Sequence, residues 1–404
     1  MRRQSLRLGL AALLAGLGIA LGAPCVAQAC GGVFSRSAEI EQKTERIIFI
    51  QNRDGTLTSV IQLKFTGDAE DFAWVLPLPY AIPADAIEVV ENGNEMFDAL
   101  ERDTEPIFLK PDNCYPREFP VSFGGGALSG GAPEGAHSVT SGVVGPFSFD
   151  IVEANDPQAL GDWLRQNQYQ FTPAMEPLVK PYIDAGMVFL AMKLRPGQGV
   201  DSIEPIKLAF KADRPMIPLR IAAVAARPDT QIRVWFFADQ QATPANFARI
   251  EVADDELRYN ISDSFYTPRG NYDELVNAKL AEANGRGFVT DFAGPTRDLS
   301  FEDQQLSAWA AEHPYLTRLT ATISPEEMTV DPVFDYDGSL PDRPREHNLS
   351  LVQAVVDDCQ RQQNRETLGL ITLIGLPIII ALGAAIAVAA GVAALLQRRK
   401  ARTR

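Results

Sequence analysis

Thr44-Glu45-Arg46-Ile47-Ile48-Phe49-Ile50 runs into Asn52-Arg53-Asp54-Gly55, and Leu57 to Phe65 follows with apolar and polar side chains in alternation. An apolar run, a turn signal ending in Gly and an alternating run predict two antiparallel strands joined by a tight turn. Phe72-Ala73-Trp74-Val75-Leu76 is a further apolar run, closed by Pro77 and Pro79. Proline has no N–H for a central ladder, so this strand ends there or lies at a sheet edge. Met187 to Leu194, Pro205 to Phe210, Leu219 to Ala225 and Ile232 to Phe237 also read as strands.

Helices are expected where caps precede amphipathic runs. Glu95 to Leu100 follows Asn92-Gly93-Asn94, and Asp156-Pro157 opens a helix with Leu160, Trp163 and Leu164 on one face. Tyr272 to Asn284 ends at Gly285, a suitable C-cap, and Gln304 to Glu312 is a further helix. Gly124 to Gly145 is rich in Gly, Ser and Ala and reads as a loop or linker. It contains no GxxxxGK[ST] and no basic residue, which argues against a nucleotide cradle. Val60 to Asp68 and Ile206 to Asp213 echo one another, as do Trp74 to Leu78 and Met216 to Leu219. The fold class is α+β and rich in β-sheet, built as one body or as two β-modules with flanking helices, plus one C-terminal transmembrane helix. The expected boundaries are a β-rich module over 30–122, the Gly-rich stretch over 123–147 and an α+β module over 148–360.

The two ends of the chain predict its placement. Arg2, Arg3 and Arg7 precede an uncharged apolar stretch from Leu8 to Ala23, and Ala27-Gln28-Ala29 supplies a small-x-small site. Residues 1–29 therefore read as a signal peptide cleaved after Ala29. Leu368 to Leu396 carries no charged side chain over 29 residues, and Arg398, Arg399, Lys400, Arg402 and Arg404 follow. Such a run exceeds the roughly 20 residues that cross a bilayer, and the basic tail over 397–404 belongs on the cytoplasmic side. The expected location is the bacterial cytoplasmic membrane, single-pass, with the ectodomain periplasmic or extracellular. Gly383, Ala387 and Gly391 form a small-residue stripe along this helix that would allow a homo-oligomer.

All 52 acidic residues lie in the exported stretch, against 29 of the 37 basic ones, giving it a net charge of −23 where the whole chain has −15. Nucleic acid and anionic lipid would be repelled, so nucleic acid is not an expected partner. Cys30, Cys114 and Cys359 remain after cleavage; two of the three can pair in an oxidising compartment, and no CxxC spacing points to zinc or thiol redox chemistry.

Cys30-Gly31-Gly32, then Thr66-Gly67-Asp68-Ala69-Glu70-Asp71-Phe72-Ala73-Trp74-Val75-Leu76-Pro77-Leu78-Pro79, then Tyr315-Leu316-Thr317-Arg318-Leu319 and Met328 to Phe334 resemble an uncharacterised bacterial family, domain of unknown function 2330. The resemblance implies an exported, membrane-tethered domain and brings no catalytic residue or cofactor.

Three histidines are present, His137, His313 and His347, with neither a GxSxG elbow nor an HExxH helix. No catalytic residue and no cofactor is assigned. Asp68, Glu70 and Asp71 provide the carboxylates that a glycosidase-like hydrolase would need. Asp331, Asp335 and Asp337-Gly338 are candidate oxygen ligands for calcium. The leading expectation is a non-enzymatic envelope binding or interaction module with an envelope protein as partner. The alternatives are a carboxylate-dependent extracytoplasmic hydrolase and a calcium-stabilised adhesin-like domain.

Overall fold

The opening hairpin forms as the sequence predicts. β1 (Gln42–Gln51) and β2 (Thr56–Leu63) pair antiparallel from Gln51↔Leu57 to Glu45↔Leu63. Gly55 sits in the turn at φ +80°, where an L side chain would be strained, and the Asp54 carboxylate accepts the Thr56 N–H at 2.9 Å. The computed structural model describes residues 42–63, 73–109, 111, 141–212, 214–258, 270–370 and 376–402. The signal segment, Cys30, Cys114, His137 and the carboxylates Asp68, Glu70 and Asp71 lie outside the described residues.

The strands that follow are β3 (Ala73–Leu78), β4 (Ile87–Val89), β5 (Ile107–Leu109), β6 (Ser141–Val144), β7 (Phe147–Val152), β8 (Val188–Leu194) and β9 (Ile206–Lys211). After them come β10 (Ala226–Ala238), β11 (Ala242–Pro244), β12 (Ala248–Ile250), β13 (Gly287–Pro295), β14 (Tyr315–Ile323), β15 (Phe334–Tyr336) and β16 (Glu346–Asn348). The helices are α1 (Gly93–Thr104), α2 (Pro157–Gln166), α3 (Glu176–Asp184), α4 (Leu219–Ala222), α5 (Tyr272–Glu282), α6 (Gln304–Glu312), α7 (Gln353–Leu370) and α8 (Leu376–Arg402).

Eight strands form one mixed sheet in the order β12-β13-β14-β10-β1-β2-β9-β4, and four form a second in the order β3-β8-β7-β6. The pairs β11-β15 and β16-β5 complete the β-structure. β1 is parallel to β10 on one side and antiparallel to β2 on the other. Its continuous apolar run has a physical reason: Ile47 and Phe49 face one way, Ile48 and Ile50 the other, and all four are buried.

The odd face of β1 packs against Trp74, Leu76 and Leu78 of β3 and Leu190 and Met192 of β8. The even face packs under Phe97 and Leu100 of α1 and Leu306 and Trp309 of α6. Beyond the smaller sheet, Leu160 and Leu164 of α2 and Val179 and Tyr182 of α3 cover its outer side. Helices, small sheet, large sheet and helices are thus stacked in layers, an α+β arrangement. Among the described residues β3, with Pro77 and next to Pro79, is an edge strand paired with β8 alone, in keeping with its prolines.

Strands from both sides of the Gly-rich stretch share both sheets: β1, β2 and β4 lie with β9, β10 and β14, and β3 lies with β6 to β8. The end of that stretch is itself strand β6, with Gly142 opposite Phe149. The internal echo holds for β2 and β9, which are antiparallel neighbours. It ends there, because Trp74 to Leu78 is strand whereas Met216 makes one bridge to Val333 and the chain then enters α4. Leu219 to Ala225, expected as strand, is therefore corrected to a short helix. Its reason is distant in sequence: the Asp331 carboxylate accepts the Arg220 N–H at 2.9 Å, satisfying an open donor of the first turn.

α8 contains Ile379–Leu396, with mean hydropathy 2.6 and no burial against the rest of the chain. Among the described residues it is the one helix long and apolar enough to cross a membrane, consistent with a single-pass anchor. A Cβ at Gly383 or Gly391 would meet nothing within 4 Å outside the helix's own backbone, and Ala387 is exposed.

The even face of the large sheet also buries charge. Arg46 and Arg233 are neighbours on β1 and β10, and Arg318 lies opposite Trp235 on β14. Glu101 of α1 reaches all three, at 3.5 Å from Arg46, 3.1 Å from Arg233 and 2.9 Å from Arg318. Asp98 adds a 2.6 Å contact to Arg46, and Asp291, at a register shift in β13, lies 3.3 Å from Arg318. Arg318 belongs to the Tyr315–Leu319 motif and is 1% exposed, and among the described residues its charge is met by these carboxylates, a Glu101 carbonyl and the Trp235 ring. Breaking such a pair on one side typically costs 3–5 kcal/mol. Glu101→Ala should lower stability by about 3 kcal/mol in equilibrium urea unfolding; a loss below about 1 kcal/mol would show that the network is not holding α1 on the sheet.

Candidate binding site: an apolar slot between the sheets

Residues two apart on a strand share a face, so pairing sets side chains in rows across the odd face of the large sheet. One row is Ile47–Ile61–Ile206, the next Phe49–Ser59–Leu208, and Leu57–Phe210 follows. Glu45, opposite Leu63, begins the series. Ser59 is the small member of a face otherwise built from large apolar groups. Leu76 and Leu78 of β3, with Pro77 and Pro79, form the opposing wall. These walls do not meet over Ser59, and an apolar slot of about 140 Å³ remains. Its rim includes the exposed Pro79 and Arg214.

Two polar groups in the slot lack partners among the described residues. Ser59 is 3% exposed and its Oγ makes no hydrogen bond. A buried hydroxyl left unpaired costs about 1–3 kcal/mol, which folding alone does not recover. Glu45 is partly buried and forms no ion pair. Removal of its carboxyl from water raises its pKa to about 7. Arg214, the other charged lining residue, is engaged with Asp335 at 2.8 Å.

The sequence-derived candidates fall elsewhere and do not converge. Asp331 accepts from the Tyr182 hydroxyl and the Arg220 N–H, each at 2.9 Å, and burial raises its pKa. Asp335 holds Arg214, and Asp337 accepts from the Ser339 N–H and hydroxyl, which lowers its pKa. Among the described residues no three His, Cys, Asp or Glu side chains gather as metal ligands. His313 is buried and its pKa is lowered by desolvation. His347 is buried with Nδ1 2.7 Å from Asp254 Oδ1, its ring stacked on Phe108. Cys359 on α7 is fully buried beside Leu349 and Val355.

Sequence reading missed the slot. Its signal was present: along Leu57, Ser59, Ile61 and Leu63 a small polar residue interrupts the apolar face, and Glu45 stands on the face of Ile47 and Phe49.

A family described as uncharacterized protein conserved in bacteria, domain of unknown function 2330, matches residues 24–335. The chain belongs to this family. Every strand and side chain of the slot lies within the matched residues, while α8 lies beyond them. No curated protein matches the chain. Two solved structures have some likeness to this member of the family. A mutated baculovirus P35 after caspase cleavage is 10% identical, with 49% of this chain and 67% of that chain covered at a TM-score of 0.29. Baculovirus P35 itself is 14% identical, with 50% and 66% covered at 0.28. Scores this low carry no argument about fold or function.

The sign of the Glu45 shift gives a stability prediction. With a folded pKa near 7 against 4.5 for the free group, the neutral carboxyl is the tolerated form. The contribution of Glu45 to stability is then fully present below pH 4.5 and is lost as pH rises through 7. Glu45→Gln should therefore stabilise the protein at pH 8, on the order of 1–3 kcal/mol, and be nearly neutral at pH 4.5. Thermal unfolding of both proteins across this range checks it; a pH-independent difference would place the carboxyl in water.

Proposed function

We propose that this chain is a membrane-anchored, extracytoplasmic binding module that takes a small apolar ligand into the slot between its two sheets. The observation that carries this reading is the preformed apolar slot with an orphaned Ser59 hydroxyl. Ligand sites are concave, mainly apolar and furnished with a few polar groups that fix orientation. A dry apolar cavity of about 150 Å³ is large enough to bind benzene, so the slot suits a ligand of similar bulk. Binding would contribute what folding leaves unmet: contacts for the walls and a partner for the hydroxyl.

The placement outside the cytoplasm rests on the signal-like residues 1–29 and on the basic residues that follow the apolar helix. It is accompanied by a disulfide through Cys359 to Cys30 or Cys114. The support is the full burial of Cys359 on α7, with a bonded rather than titrating sulfur. Peptide mapping without reductant should recover Cys359 cross-linked; a free thiol in the membrane-extracted protein would remove this part of the reading.

For the slot, full-length protein in lipid nanodiscs is heated with benzene, indole or hexanol, with empty nanodiscs as control. A ligand at 100 times its Kd adds about 2.7 kcal/mol to stability and should raise Tm accordingly. Ser59→Leu, which fills the slot, should abolish the rise. The absence of any rise in the natural protein would end the proposal.

A further inference from the structure

We infer that the ligand of the slot is a slender aliphatic amine, its ammonium held by Glu45 and its chain lying along Ile47, Phe49, Ile61 and Leu76. The inference rests on the binding-module reading above and adds the chemical class.

The argument begins with charge. Residues 45 and 46 are adjacent on β1 and point to opposite faces of the sheet. On the even face Arg46 is buried and well supplied: Asp98 at 2.6 Å, the Gln62 side-chain Oε1 at 2.5 Å and Glu101 beyond them. On the odd face Glu45 has no such provision among the described residues. Among the described residues the other charged side chain lining the slot, Arg214, is on the rim and already paired with Asp335. A carboxyl removed from water without a counter-charge is costly to ionise, which its pKa of about 7 reflects. An ammonium entering the slot would supply the missing cation and form a charge-assisted hydrogen bond to the carboxylate. An anionic headgroup would be repelled, and a neutral alcohol would gain only an ordinary hydrogen bond.

Shape supports the same class. Glu45 and Phe49 are four residues apart on one strand, about 13 Å at the usual rise. A chain whose ammonium meets Glu45 would therefore run along the strand within the slot. At about 140 Å³ it holds a chain of a few carbons, not a long acyl tail. Ser59 lies in the row of Phe49, partway along, where a hydroxyl or second amine on the chain would meet its Oγ.

The test compares hexylamine, hexanol and hexanoate on the full chain in nanodiscs of neutral lipid, by thermal unfolding as a function of concentration at pH 7.5. Hexylamine should bind at least tenfold more tightly than either of the others. Glu45→Gln should erase that preference, bringing hexylamine to within about twofold of hexanol, and Ser59→Leu should weaken all binding. Equal affinities for the three molecules, or a preference that survives in Glu45→Gln, would overturn the amine assignment and leave the binding-module reading standing. No binding by any of the three, with benzene and indole also inert, would overturn both. Because Glu45→Gln is expected to be more stable than the natural protein at this pH, misfolding does not confound the comparison.

Discussion

β1 is buried on both faces, and each charge placed on it must be met by another element. Arg46 is met on the helix side by α1, whose Glu101 also holds Arg233 and Arg318 from the next two strands of the sheet. This one carboxylate ties three strands to the helix above them. The Arg318 guanidinium further lies 5.7 Å from the Trp235 ring, whose Nε1 donates to Thr104 at the end of α1. Position and tilt of α1 are thus set by ionic and hydrogen-bonded contacts as well as by Phe97 and Leu100. A buried cluster of this kind fixes one arrangement because any other would leave a charge unpaired in a poor solvent for charge.

The two faces of the large sheet have been used differently. The face under α1 and α6 is filled by large aromatics, and its buried charges are held in ion pairs. The face toward the small sheet opens along the rows of Glu45 and Ser59, where a small residue and an acid with no ion-pair partner among the described residues replace the large apolar residues around them. Both departures reduce stability, one through lost contacts and an unmet hydroxyl, the other through desolvation of a carboxyl. Natural folds carry local costs of this kind chiefly where something other than folding uses them. That is the physical basis for treating the slot, rather than the numerous surface carboxylates, as the place where this protein meets a ligand.

The motifs that mark the family divide along the same lines. Tyr315–Leu319 contributes Arg318 to the ionic layer, and Met328–Phe334 contributes Asp331, which caps α4 and binds Tyr182 of α3. Both are structural roles, linking layers that are far apart in the chain. Leu76 to Pro79 is the part of its motif that forms a wall of the slot. A carboxylate near a glycine, as at Asp337, resembles a metal loop in sequence, yet it closes a local turn with Ser339.

Period and punctuation alone were sufficient for the hairpin at Gly55, the edge strand with Pro77, the helix opened by Asp156, the helix over Gln304–Glu312, and the apolar helix over Leu376–Arg402. Each is decided within a few residues, by φ preference, a missing N–H, a side-chain cap or continuous hydrophobicity. Where a distant group intervenes, local pattern fails: Leu219 to Ala225 has strand-like residues, and Asp331, more than a hundred residues later, turns its start into a helix. The slot is of the second kind. Sequence shows that Ser59 and Glu45 interrupt apolar faces, but whether a small residue leaves a hole depends on what is packed opposite it. Here that is β3, brought over β1 and β2 by its pairing with β8 in another sheet, and pairing between strands far apart in the chain is decided only when the whole core closes.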